Sequence, residues 1–74
     1  MSLQKSVEVF KTNVNESAHA RQLVALLQQH FPGSRINFDL DDCDKVLRLE
    51  GHNLLAGKVM ALMQEKGFHC RILE

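Results

Sequence analysis

The sequence predicts an α+β fold, with a four-stranded antiparallel sheet and two helices covering one of its faces. Three observations carry this. Two stretches place apolar residues at helical spacing, four short stretches alternate apolar with polar or are β-branched, and clusters of Asn, Asp, Ser, Gly and Pro separate them. The order along the chain is strand, helix, strand, strand, helix, strand. At 74 residues, the chain has room for one core and little else, so 1–74 reads as a single domain.

Residues 7–12 are β-branched and aromatic and form the first predicted strand. The polar break at 13–17 offers capping residues: Asn13 with Glu16 has capping-box spacing, and Asn15 and Ser17 are alternatives. The helix over 18–30 carries Ala20, Leu23, Val24 and Leu27 on one face, extended by Phe31, and Pro32-Gly33 ends it. Residues 36–40 alternate strictly, as a half-buried strand does. Residues 41–44 form a turn, and 46–50 form the third strand with Leu47 and Leu49 on one face. Gly51-His52-Asn53 breaks it, with Asn53 as the expected N-cap of a second helix. Leu55, Val59, Leu62 and Met63 mark that helix, and Gly67 is placed to close it in a left-handed cap. The last strand, 69–73, sets Cys70 and Ile72 against His69 and Arg71.

Two right-handed β-α-β crossovers sharing a central hairpin give a ferredoxin-like βαββαβ arrangement with strand order 4-1-3-2. In that connectivity residues 13–19, 41–44 and 68–70 meet at one end of the sheet. That end then gathers Cys43, Cys70, His19, His69 and much of the acidic charge, since four of the nine acidic residues lie in 39–44. His30 and His52 fall at the opposite end and read as surface residues.

Lys plus Arg equals Asp plus Glu at 9 each, and no basic face stands out, which argues against nucleic acid as a partner. No run approaches the ~18 apolar residues of a membrane span, and charges at Lys5 and Glu8 exclude a secretory h-region near the start. A reducing cytoplasm is the expected compartment, and no membrane partner is expected. Whether Met1-Ser2-Leu3 is an added leader stays open.

Phe31-Pro32-Gly33, the alternating Ile36-Asn37-Phe38-Asp39-Leu40, Leu47-Arg48-Leu49-Glu50-Gly51 and Gly67-Phe68 together resemble the heavy-metal-associated domain family of small metallochaperone and transport-ATPase modules. The resemblance runs over roughly residues 5–74 and rests on scaffold positions. It implies a soft-metal site of the form Met-x-Cys-x-x-Cys at the start of helix one, where two thiolates hold copper(I) or zinc. Here that segment is Thr12-Asn13-Val14-Asn15-Glu16-Ser17-Ala18-His19, without a Cys. The site is degenerate, and no ligand transfers to it.

The residues themselves offer few sites. Cys43 lies in an acidic turn that disfavours its thiolate, and Cys70 reads as a buried, inert thiol. Strand spacing puts the two beyond disulfide reach. The acidic run lacks the Gly and the ligand pattern of an EF-hand, and the flanking strands forbid helix-loop-helix. Ser17 and His19 do not face each other on a helix, Met60 and Met63 read as packing, and no catalytic set or phosphate loop appears. The open sheet face is expected to show Glu8, Phe10, Val46, Arg48, Arg71 and Leu73, with the facing of Val9 against Phe10 left open. One Phe without a basic surround is a poor platform for stacking RNA bases.

The expected function is therefore a small non-enzymatic interaction module without cofactor, working through a protein partner or self-association on the open face or on the second strand, an exposed edge open to strand addition. The alternative is a divalent or soft metal ion held at the loop end by Cys43, His19, His69 and Asp42.

Overall fold

The computed structural model describes residues 5–73; the leader question at 1–3 lies outside them. The chain runs β1 (Ser6–Thr12), α1 (Ser17–His30), β2 (Arg35–Asp39), β3 (Val46–Gly51), α2 (Ala56–Glu65) and β4 (Cys70–Ile72). The strands form one four-stranded antiparallel sheet in the order β2-β3-β1-β4, which is the expected order read from the other edge.

Strand alternation decides what the sheet buries. Phe10 sits opposite Leu47 and Ile72, Thr12 opposite Cys70, and Ile36 and Phe38 opposite Leu49 and Leu47. These residues share the face covered by the helices. Both helices feed the same core, α1 through Ala20, Leu23 and Leu27 and α2 through Val59, Leu62 and Met63, with Val14 and Phe31 closing it. Phe10, Leu27, Leu47, Leu49, Val59 and Met63 are fully buried. Burial of each such side chain contributes about 1.5–3 kcal/mol, the main favourable term in a chain this small.

The register corrects the expected open face. Phe10 and Glu8 lie opposite Leu47 and Leu49 on the helix-covered side, so Phe10 belongs to the core. Val7, Val9 and Lys11 take their places on the open side, alongside Arg48 and Glu50. Ile72 shares the core-facing side with Phe10 but remains 47% exposed, because an edge strand has no neighbour to cover it. Leu55, expected in the apolar stripe of α2, is 60% exposed and serves as the N-cap instead. Leu40 falls in the turn rather than in β2.

Both capping expectations also change. Glu16 is the N-cap of α1 and Leu55 that of α2, and neither makes a side-chain cap. Asn53 takes a left-handed backbone (φ 58°), and Asn13 turns its side chain elsewhere. The helix ends follow expectation. Gly33 (φ 85°) follows Pro32 in a turn closed by Ser34 N–H donating to Phe31 C=O, as a type II turn requires. Gly67 (φ 88°) donates to Gln64 C=O while Phe68 N–H donates to Met63 C=O, a Schellman closure that delivers the chain to β4.

Candidate interaction surface

Three loops meet at one end of the sheet, as the connectivity requires. Thr12 is buried there. Its N–H donates to Asp44 C=O (3.0 Å), its hydroxyl donates to Lys45 C=O (2.5 Å), and the same oxygen accepts from Val14 N–H (3.2 Å). Asn13 Oδ1 accepts from His69 N–H (2.9 Å) across 56 positions of sequence. The ring of His19 meets Phe68 edge-on at 5.5 Å. The 40–45 turn is folded on itself: Asp42 Oδ1 accepts from Asp44 N–H (2.8 Å), Lys45 N–H donates to Asp42 C=O, and Lys45 takes a left-handed backbone (φ 47°).

Of the residues expected to bind a metal ion, the structure brings two together. Asp42, Cys43 and Asp44 offer ligand atoms within 4.8 Å of one another. Among the described residues, His19 and His69 do not join that group. His19 instead lines a groove of about 580 Å³ with Gln22, Leu26, Gln29, Lys66 and Phe68, and His69 is exposed beside β4. Two of the three already have partners: Lys11 Nζ lies 3.4 Å from the Asp44 carboxylate, and Asp42 Oδ1 accepts Asp44 N–H. One thiol between two carboxylates does not reproduce the paired thiolates that the resemblance implies.

Both cysteines are free thiols. Cys43 is exposed. Cys70 is buried, and burial pushes its thiol from 9.0 up to about 12, which keeps it neutral and unreactive.

The open face carries Val7, Val9, Val46 and Leu73 among Lys11, Arg35, Arg48, Arg71, Asp39 and Glu50. Glu50 accepts Arg48 at 3.8 Å and Lys5 at 3.7 Å, which leaves a mixed-charge surface with small apolar islands.

The edge at β2 differs in kind. Backbone N–H and C=O groups point to alternate sides along a strand, so the outward groups follow from the register. Leu73 N–H donates to Val9 C=O, so Val9 faces β4 and Phe10 faces β3. Phe10 pairs with Leu47, which turns Arg48 toward β2, and Arg48 pairs with Asn37. Asn37 therefore faces β3, and the N–H and C=O groups of Ile36 and Phe38 point outward. No hydrogen bond engages these outward groups among the described residues. Beside them, Ala20 and Val24 of α1 with Ile36, Phe38 and Leu40 line an apolar groove of about 330 Å³. The alternating apolar pattern of β2 and its place at a sheet edge were legible in the sequence; which of its backbone groups stay unbonded was not, because that depends on the register.

No protein-family model, curated protein or solved structure matches the chain. Among the described residues, no helix is long and apolar enough to cross a membrane.

Proposed function

We propose that this chain is a small non-enzymatic interaction module of ferredoxin-like form, related to the heavy-metal-associated scaffold but without its metal site, which binds an extended protein segment along β2. The observation that carries the reading is the unbonded backbone of Ile36 and Phe38 next to the apolar groove under α1. Such an edge accepts a further strand: main-chain hydrogen bonds supply affinity, and alternate side chains entering the groove supply selectivity. The test is photo-crosslinking in the cells that make the protein, from a benzophenone side chain at position 37 and, as a control, at position 65 on α2. Discrete adducts from 37 and none from 65 are expected. Absence of any adduct from 37 overturns the reading.

A second reading, a metal ion at the hairpin, is favoured by the grouping of Asp42, Cys43 and Asp44 alone. Its test is the thermal stability of the reduced protein with Zn(II), Cu(I), Ni(II) and Ca(II). Binding to the folded state raises Tm, by about 2.7 kcal/mol of stability at 100-fold excess over Kd, and Cys43→Ser then removes the rise. No rise with any ion at about 100-fold excess over a micromolar Kd eliminates this reading.

A further inference from the structure

We infer that the strand received by β2 is the β2 strand of a second copy of this chain, paired antiparallel about a two-fold axis at Asn37. The inference rests on the edge-strand reading above and names its partner. The carbonyls on either side of the unbonded pair are occupied from within the chain: Ser34 C=O accepts Gln28 Nε2 (2.6 Å), and Leu40 C=O accepts Lys45 Nζ (2.8 Å). What remains open is Ile36 and Phe38, symmetric about Asn37. A two-fold axis at Asn37 sets Ile36 opposite Phe38 of the second copy and Phe38 opposite its Ile36, and each pair exchanges both of its backbone hydrogen bonds. The sheet becomes continuous across the two copies, with all four helices on one side.

The side chains of β2 match the same axis. Arg35-Ile36-Asn37-Phe38-Asp39 reads as basic, apolar, amide, apolar, acidic, so it complements itself when reversed. Arg35 falls opposite Asp39 of the second copy, twice by symmetry, as non-hydrogen-bonded pairs in which side chains come closest. Within the chain, neither Arg35 nor Asp39 has an ion-pair partner among the described residues, while Glu50, across from Arg35, is taken by Lys5 and Arg48. On the other face, Ile36 and Phe38 of the two copies adjoin each other and the grooves beside them. A formal net charge of zero means that two copies meet without net repulsion. A shift of the register by two residues changes both pairs together: in one direction Arg35 meets Asn37 and both ion pairs are lost, and in the other it meets Asp41, beyond the end of β2 and next to the Leu40 C=O that Lys45 Nζ already occupies, so charge and free backbone together select the alignment.

A five-residue strand pair belongs to the small, weak class of interfaces, so the dimer is sought by sedimentation equilibrium of the whole chain up to ~1 mM protein, where a micromolar to sub-millimolar Kd is visible. A dimer is expected at the upper concentrations. Arg35→Asp alone and Asp39→Arg alone place like charges opposite each other at both symmetric positions, and each is expected to weaken self-association about tenfold. The equimolar mixture of these two variants restores both pairs across a heterodimer, and the double variant Arg35→Asp/Asp39→Arg restores them in a homodimer, so both are expected to associate like the parent chain. Positions 35 and 39 are exposed, and unchanged circular dichroism is the fold control. A monomer throughout the range, or a dimer indifferent to the single reversals, overturns the inference. Monomers accompanied by crosslinks from position 37 to a different protein overturn the second copy as partner while the edge-strand reading stands. Absence of both overturns the two together.

Discussion

The two edges of the sheet are held by adjacent residues, in different ways. Thr12 secures the hairpin that carries β2, through two bonds to Asp44 and Lys45 and a third that accepts Val14 N–H. Asn13 secures β4, through a single exposed bond to His69 N–H. β2 is five residues long, alternates regularly and has its apolar side chains half-buried under α1. β4 is three residues long, arrives from the Gly67 closure and leaves Ile72 largely uncovered. A short edge offers little backbone for another chain to pair with, whereas a longer regular edge invites pairing. The asymmetry therefore concentrates the capacity for strand addition on β2.

The comparison breaks most severely at Thr12. Thr12→Val keeps the shape of the side chain and deletes its oxygen, so Lys45 C=O loses a donor and buried Val14 N–H loses its acceptor. Leaving buried groups unsatisfied costs about 2 kcal/mol here. The expected outcome is a lower urea midpoint with an unchanged m-value, and faster hydrogen exchange concentrated in the 40–46 hairpin and the adjacent ends of β2 and β3. A loss of protection in β4 equal to that in the hairpin would show that the two edges are not held separately.

Much of the fold was readable before the structure, and the exceptions share a cause. The alternation of Ile36 to Asp39, the Leu47/Leu49 pair, the Pro32-Gly33 turn and the Gly67 cap are local signals, and each appears where the pattern placed it, with only Leu40 passing into the turn. The errors arise where a local signal competes with a distant partner. Asn13 has capping-box spacing to Glu16, but its oxygen serves an amide 56 positions away. Val9 and Phe10 are both reasonable core residues, and only the pairing of Phe10 with Leu47 and Ile72 decides between them. Asn53 suits an N-cap by residue type, yet the chain uses its tolerance of a positive φ to turn toward α2. At the surface, residue types at the loop end suggested ligands, and the expected strand order already put β2 at an edge; which of its backbone groups remain unbonded, and the groove beside them, came only from the register and packing.

Asn13→Ala is the gentler perturbation and the sharper probe of the contrast. The bond it removes is exposed, and water can replace the lost acceptor, so the cost is about 0.5–1 kcal/mol rather than the larger penalty of an orphaned buried group. What distinguishes this variant is location. His69 N–H loses its acceptor, and the Cys70–Ile72 ladder loses the tie that fixes its entry, so hydrogen exchange at His69 and in β4 should quicken. Amides of β2 and β3 should keep their protection, since no bond of Asn13 reaches them. Local opening of this kind exposes β4's backbone without unfolding the core. If self-association resides on β2, Asn13→Ala leaves the dimer's concentration dependence unchanged even as β4 loosens. A dimer weakened by this substitution would move the interface to the opposite edge.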